Sequence, residues 1–268
     1  MTQNPDEWLE LSQASNEAWE KQADIWDDRM GADGNAFHQQ LVRPSVTRLL
    51  RVQPGQTILD VGCGNGVFAR HLANLGVKVT AIDVSTAMIE KARERSRNLD
   101  EQITYQVLDA TSEGQLATLA EDAFDAIVCN MTLMDLAAIH PLIKNIPRLL
   151  KNTGKFVFSI MHPCFNNGVG TSRLVEEMYD QEGAKKIHSI KVTAYISPQS
   201  GVSTGICGRD PQFYFHRPLS SLLTSFFEAG LVMDGIEEPV FELKEKRELG
   251  QAQFTEIPWA FIGRMRPG

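Results

Sequence analysis

The residues best suited to chemistry are the glycines and the acid of Leu59-Asp-Val-Gly-Cys-Gly-Asn-Gly66, which follow a short apolar run. A glycine turn between a strand and a helix lets a ligand lie against the backbone, because no Cβ stands in the way. A dinucleotide turn needs a third glycine three positions after the second, so that a pyrophosphate can sit on the helix N-terminus, and Val67 occupies that position. The carboxylate of Asp60 would repel phosphate and attract an amine. The turn therefore predicts a nucleoside that carries an amine and no phosphate.

Two further acids follow the next two predicted strands. Asp83 ends Val79-Thr-Ala-Ile-Asp83, about 20 residues after the glycine turn, where a carboxylate binds ribose hydroxyls. Asp109, followed by Ala110, comes after the strand-like run Ile103–Leu108 and could hold an adenine amino group. In an open α/β sheet these strand ends meet at the crevice that binds ligands. The three carboxylates predict a site for S-adenosylmethionine, which has an amino group, a sulfonium and a phosphate-free adenosine.

The pattern of the whole chain predicts an α/β protein with a doubly wound, mostly parallel sheet. Residues 1–50 are predicted as an N-terminal helical lid, 56–161 as the cofactor-binding core, 162–217 as an insertion after the fifth strand, and 218–268 as the completion of the sheet. Within the insertion, Thr171–Gly183 is predicted to be helical, whereas Ile187–Ile196 and Gln212–His216 are predicted as strands. Ser85 stands where a helix N-cap belongs. The four zones are interpreted as one domain whose lid and insertion cover the site.

Five motifs in order resemble those of class I S-adenosylmethionine-dependent methyltransferases, nearest to the ubiquinone/menaquinone-biosynthesis type. They are Leu59–Gly66, Ile82–Ser85, Leu108–Ala110, Phe124–Asn130 and Pro147–Gly154, although Asn152-Thr153-Gly154 replaces the commoner Pro-Gly-Gly. The resemblance implies a seven-stranded Rossmann-like fold and a methyl transfer that releases S-adenosylhomocysteine. It implies that Gly62 and Gly64 face the methionine part, Asp60 the amino group, Asp83 the ribose, Asp109 the adenine, and that Asn130 lies between cofactor and acceptor. The predicted cofactor-binding residues are Asp60, Gly62, Cys63, Gly64, Asp83, Val84, Met88, Asp109, Ala110, Asn130 and Met131.

The acceptor side is less defined by sequence. His162 follows the fifth strand, and its His-Pro step restricts the backbone to extended or turning conformations; His216 closes the insertion. Either histidine could act as a general base or make only a structural hydrogen bond, whereas His38, His71 and His188 carry little information. The predicted acceptor-binding residues are Trp26, His162, Tyr214 and His216. The aromatic residues of the insertion suggest an aromatic or partly apolar acceptor, methylated at oxygen, nitrogen or carbon.

Composition limits the function classes. The chain has 26 Lys and Arg residues against 34 Asp and Glu residues, which gives a net charge of −8. This balance argues against a protein that binds the nucleic-acid backbone. No run approaches the roughly 20 apolar residues of a membrane span, no secretory signal is visible, and the four cysteines form no CxxC pair. The predictions are a cytoplasmic protein with reduced thiols, a small-molecule acceptor and no metal. An RNA-modifying methyltransferase and a non-catalytic S-adenosylmethionine-binding regulator remain alternatives, and a nicotinamide dehydrogenase is disfavoured by Val67.

Overall fold

A computed structural model describes residues 5–168, 170–180, 183–203, 212–241 and 255–268. Short β-branched and aromatic runs form the strands, and glycines or prolines punctuate them. In chain order the strands are β1 (Thr57–Val61), β2 (Lys78–Asp83), β3 (Ile103–Val107), β4 (Phe124–Asn130), β5 (Leu150–Met161), β6 (Thr171–Asp180), β7 (Gly183–Val192), β8 (Gln199–Ser203), β9 (Gln212–His216), β10 (Leu231–Glu237) and β11 (Ala260–Pro267).

Seven of these strands form one sheet in the order β10-β11-β5-β4-β1-β2-β3. Strands β1 to β5 pair in parallel, and β11 runs antiparallel between β5 and β10. The predicted doubly wound, mostly parallel seven-stranded sheet is confirmed. The chain runs outward from β1 to β3 and then crosses to β4 on the other side of β1. A crevice therefore opens where the carboxyl ends of β1 and β4 diverge.

Serine side chains cap the N-termini of the helices Thr86–Arg95 and Glu113–Leu116, at Ser85 and Ser112. Ser85 is the N-cap of its helix, as predicted, because its Oγ accepts a hydrogen bond from the Met88 N–H at 3.0 Å. Among the helices that the structure describes, none is both long and apolar enough to cross a membrane. In chain order the helices are α1 (Pro5–Met30), a π-helical segment (His38–Val42), α2 (Arg43–Leu50), α3 (Val67–Asn74), α4 (Thr86–Arg95), α5 (Glu113–Leu116), α6 (His140–Leu149) and α7 (Leu219–Glu228).

Hydrophobic clusters cover both faces of the sheet. Ile58 packs on one face with residues of α2 and α3, whereas its neighbour Leu59 packs on the other face with residues of α6 and α7. Side chains of successive strand residues point to opposite faces, so both members of such a pair are buried only when helices lie on both sides. Cys63 and Cys129 are buried, Cys164 is half-buried, all three are free thiols, and Cys207 lies outside the described residues.

The insertion after β5 forms two antiparallel hairpins, β6–β7 and β8–β9. The prediction of a helix over Thr171–Gly183 is wrong: Thr171–Asp180 is strand β6, paired along its whole length with β7. Helical preferences differ by only tenths of a kcal/mol between most residue types, so pairing with a neighbouring strand easily overrides them. Residues 181 and 182, which the predicted helix included, lie outside the described residues.

Candidate active site

The glycine turn leaves β1 with three glycines in the left-handed region, Gly62 (φ +69°), Gly64 (φ +53°) and Gly66 (φ +77°). A Cβ at Gly62 would lie 2.3 Å from the Thr132 side chain, and one at Gly66 would lie 2.4 Å from the Tyr105 hydroxyl. These two glycines are required by packing. A Cβ at Gly64 would meet only the Trp26 indole nitrogen, at 3.8 Å. The backbone of Gly64 is therefore open to a ligand.

A cavity of about 440 Å³ lies over this turn, between the strand ends and helix α1. Such a volume is within the range of small-molecule sites. All three predicted cofactor carboxylates line it, and so do Asn130 and Tyr214. The other predicted residues on its wall are Trp26, Gly62, Cys63, Gly64, Val84, Met88, Ala110 and Met131.

Asp60 is the most unusual of the three carboxylates. It is 1% exposed, and neither of its side-chain oxygens has a hydrogen-bond partner. Burial, and secondarily the nearby charge of Asp83, raises the pKa of Asp60 to about 7. Burying a carboxylate without a hydrogen-bond donor costs free energy, so the two Asp60 oxygens are suited to accept hydrogen bonds from the N–H groups of a ligand ammonium.

The other two carboxylates already have donors. Asp83 accepts the Gly64 N–H at 2.8 Å and the Ser85 N–H at 2.9 Å, and burial nevertheless raises its pKa. Asp83 also lines the cavity, and a carboxylate oxygen can accept more than one hydrogen bond, so its remaining lone pairs are available to a ligand. Asp109 accepts the Thr111 N–H at 2.7 Å and the Asn16 side-chain amide at 3.0 Å. Asp109 therefore links the third strand end to helix α1.

Helix α1 is fastened over the cavity through Asp27. The two carboxylate oxygens of Asp27 accept Arg95 Nε at 2.6 Å and Arg95 Nη2 at 2.8 Å, and Asn65 of the glycine turn donates at 2.8 Å. The hydrogen bond from Arg95 is the largest cause of the lowered pKa of Asp27. A second contact lies about two helical turns away, where Ser85 donates to Glu20 at 2.6 Å. Trp19, Trp26 and Met30 of the same helix line the cavity.

The two histidines predicted as candidate bases do not line the cavity. His162 is 2% exposed; its Nδ1 accepts the Cys164 N–H at 3.2 Å, which leaves Nε2 to donate to Glu238 at 2.7 Å. His216 is 1% exposed, and its Nε2 donates to the Tyr195 carbonyl at 2.6 Å. Burial lowers the pKa of both imidazoles. A catalytic role for either stays a prediction, and these contacts favour a structural one.

Among the residues on the wall that were not predicted as site residues, His38 and Asp135 carry titratable side chains. Burial raises the pKa of Asp135 well above its ordinary value, and the charge of Asp83 adds to this effect. Asp135 in turn raises the pKa of Tyr214, although burial is the larger cause. No spacing rule points to Asp135, but its position five residues after Asn130, at the end of a strand, was a usable signal. His38 offered no such signal, because it is far from any strand end.

The cavity contains carboxyl groups and no lysine or arginine. Among the residues that the structure describes, the acids on its wall are Asp60, Asp83, Asp109 and Asp135. Carboxylates at low dielectric attract cations and repel phosphates and carboxylates. The wall is therefore suited to a positively charged ligand and unsuited to a pyrophosphate.

Comparison with known proteins agrees with this geometry. Residues 59–158 match the family model of a methyltransferase domain. The ubiquinone biosynthesis O-methyltransferase of Coxiella burnetii (strain Dugway 5J108-111) is 30% identical over 148 residues, which are 54% of this chain and 62% of that protein. The same-named protein of Xanthomonas oryzae pv. oryzae (strain PXO99A) is 34% identical over 108 residues, 40% of this chain and 44% of that one. The chain thus spans about three fifths or less of the length of these curated relatives.

A solved S-adenosylmethionine-dependent methyltransferase from Mesorhizobium loti has the same fold. It superposes with a TM-score of 0.69 at 23% identity, covering 88% of this chain and 100% of that one. The family match covers β1 to β5, which carry the glycine turn and the first three carboxylates. Residues 59–158 therefore match a methyltransferase domain, and the chain has the fold of a solved S-adenosylmethionine-dependent methyltransferase.

Proposed function

We propose that this protein transfers a methyl group from S-adenosylmethionine to a small-molecule acceptor and releases S-adenosylhomocysteine. The observation that carries the proposal is the buried, unpartnered carboxylate of Asp60 beside the open backbone of Gly64. When bound, S-adenosylmethionine supplies a methyl group already activated by its sulfonium. The protein then has to hold the reactants in line and exclude water.

The residues at the three strand ends divide the work of holding the cofactor. Asp60 binds the amino group, Asp83 the ribose hydroxyls and Asp109 the adenine amino group. Asn16 supports Asp109 from helix α1, and Asp27 keeps that helix on the core. The lid therefore both completes the cofactor site and covers it against water. We assign Asn130, which also lines the cavity, to the boundary between cofactor and acceptor.

The acceptor is a small, partly apolar molecule, and a hydroxyl oxygen is the atom that receives the methyl group. The printed names of the curated relatives, ubiquinone biosynthesis O-methyltransferases, support oxygen. The apolar wall around Met134, Met161 and Tyr214 supports an apolar body. The carboxylates of the cavity disfavour an anionic acceptor, which argues against RNA as well as against carboxylic acids.

The test combines binding with turnover. Calorimetry with S-adenosylmethionine, NAD and ATP should detect binding of the first alone. S-adenosylhomocysteine release is then measured with a panel of phenols and catechols, amines, carboxylic acids and tRNA. We expect release with hydroxylated aromatic compounds. Binding of S-adenosylmethionine without release from any compound would favour the non-catalytic alternative, release with tRNA the RNA-modifying one, and uptake of NAD would refute the cofactor assignment.

A further inference from the structure

His38 is held against the cavity by the local backbone. It begins the π-helical segment, is 6% exposed and lines the cavity wall. Its backbone N–H donates to the Asn35 side chain at 2.9 Å, and its ring lies edge-on to Phe68. Gly34 (φ +87°) leaves room for the imidazole, because a Cβ there would lie 2.6 Å from His38 Nδ1. The position of this ring is therefore determined by its neighbours rather than by solvent.

A directional chain of hydrogen bonds defines the protonation of the imidazole. The Met131 N–H, which can only donate, points to Ser159 Oγ at 2.9 Å. Ser159, 0% exposed, therefore donates its own proton to Asn130 Oδ1 at 2.5 Å. With its oxygen thus occupied, Asn130 turns its amide nitrogen to His38 Nε2, at 3.4 Å. In this orientation of the amide, Asn130 donates to His38 Nε2, which places the imidazole proton on Nδ1; Nδ1 itself is buried and has no hydrogen-bond partner among the described residues.

The last contact of this chain is the weakest. A separation of 3.4 Å is at the long limit for a hydrogen bond, well above the usual value of about 2.9–3.0 Å. The Nε2 lone pair is therefore only loosely satisfied in the ligand-free protein. It lies beside Asn130, which also lines the cavity, and a hydroxyl of a bound acceptor can replace the amide as its donor.

We propose that His38 is the catalytic base that receives the acceptor's hydroxyl proton through Nε2; this inference rests on the proposed function. As the oxygen lone pair forms the new C–O bond, the methyl C–S bond breaks and its electrons stay on sulfur. The O–H electrons remain on the oxygen, and the proton passes to His38 Nε2. The products are a neutral ether, S-adenosylhomocysteine and an imidazolium that returns its proton to water when the lid opens.

The electrostatic surroundings keep the imidazole neutral. Burial, followed by the charges of Arg43 and His71, lowers the pKa of His38 to about 4. The lone pair is thus present throughout the range from pH 6 to 8. A base this weak still suffices, because an oxygen that is gaining a methyl group becomes far more acidic than the free hydroxyl. Asp135 is the competing base on the same wall, and the experiment must distinguish the two.

The kinetic test uses the phenol or catechol that the acceptor panel identifies. His38→Gln should lower kcat by about 10²- to 10⁴-fold, the usual contribution of a general base, and change the Kd for S-adenosylmethionine less than two-fold. Imidazole added to His38→Gly should restore part of kcat. His140→Gln is the control, because His140 is exposed and does not line the cavity. It should keep kcat within about three-fold.

Several results would overturn the assignment: unchanged kcat in His38→Gln, an equal loss of cofactor affinity, or a loss of kcat in Asp135→Asn that leaves His38→Gln active.

A second readout requires no acceptor. Nitrogen-15 NMR of the full chain should show His38 protonated on Nδ1 and not titrating between pH 6 and 8; protonation on Nε2 would refute the proposal. If S-adenosylmethionine binds and no panel compound reacts, the His38 tautomer measured by NMR decides whether the proposal stands. If S-adenosylmethionine does not bind, the proposed function itself has failed.

Discussion

Both carboxylate oxygens of Asp60 are buried without a hydrogen-bond donor, and burial with the charge of Asp83 raises its pKa to about 7. A cofactor ammonium binds the ionised carboxylate, so the apparent affinity scales with the ionised fraction. With a pKa of about 7 that fraction is about 0.1 at pH 6 and about 0.5 at pH 7. We therefore expect the Kd for S-adenosylmethionine to fall about five-fold between these two pH values.

Calorimetry gives two independent measurements of this effect. The first is the Kd at pH 6 and 7, below the range near 8 in which the cofactor's own α-amino group loses its proton. The second is the proton released on binding, about 0.5 per site at pH 7, obtained from buffers of different ionisation enthalpy. Asp60→Asn is the control and should bind weakly with no pH dependence. A Kd independent of pH in the wild type, with no proton released, would refute the assignment of the ammonium to Asp60.

The same ionisation affects stability in the absence of cofactor. The pKa of Asp60 is near 3.9 in the unfolded chain and about 7 in the folded one, so ionisation opposes folding. The penalty is absent below about pH 4, grows as pH rises and is complete above about pH 7. At about 1.4 kcal/mol per pKa unit it reaches at most about 4 kcal/mol. Urea unfolding of the wild type should show this decline between about pH 4 and pH 7, and Asp60→Asn should lack it.

Three further predictions concern cofactor binding and the lid. Asp83→Ala should weaken binding of S-adenosylmethionine at least about 100-fold by calorimetry, because hydrogen bonds to a charged group are lost; normal binding would disprove the ribose assignment. Asp27→Asn should lower the free energy of unfolding by about 2 kcal/mol and increase hydrogen exchange in α1. Asp24→Asn is the control: it removes only an exposed ion pair with Lys91 and should cost under about 1 kcal/mol. Gly62→Ala should destabilise the fold by at least about 2 kcal/mol in urea, and Gly55→Ala, with open space around it, by about 1 kcal/mol; equal losses would show that the close contact is unimportant.

The cofactor half of the site could be predicted from sequence because its residues are tied to strand ends. Asp60, Asp83 and Asp109 each follow a short apolar run, and parallel strands bring their carboxyl ends to one edge. The acceptor half could not be predicted in this way. His162 also follows a strand, but a local bond to the Cys164 N–H and the nearby Glu238 turn its ring away from the cavity wall. Position along the chain did not determine where that side chain points.

Sequence alone predicted the alternation of strands and helices from β1 to β5, the glycine turn and the character of the cofactor, because each depends on residues close together along the chain. Tertiary structure decided which distant segments pair and pack against each other. The strand pairing of Thr171–Asp180 overrode a weak local preference for helix. His38 became a cavity residue only because the π-helical segment that leads into α2 packs against Asn130 at the end of β4, 92 residues further along. Such long-range contacts arise from packing and hydrogen bonding that no local pattern encodes.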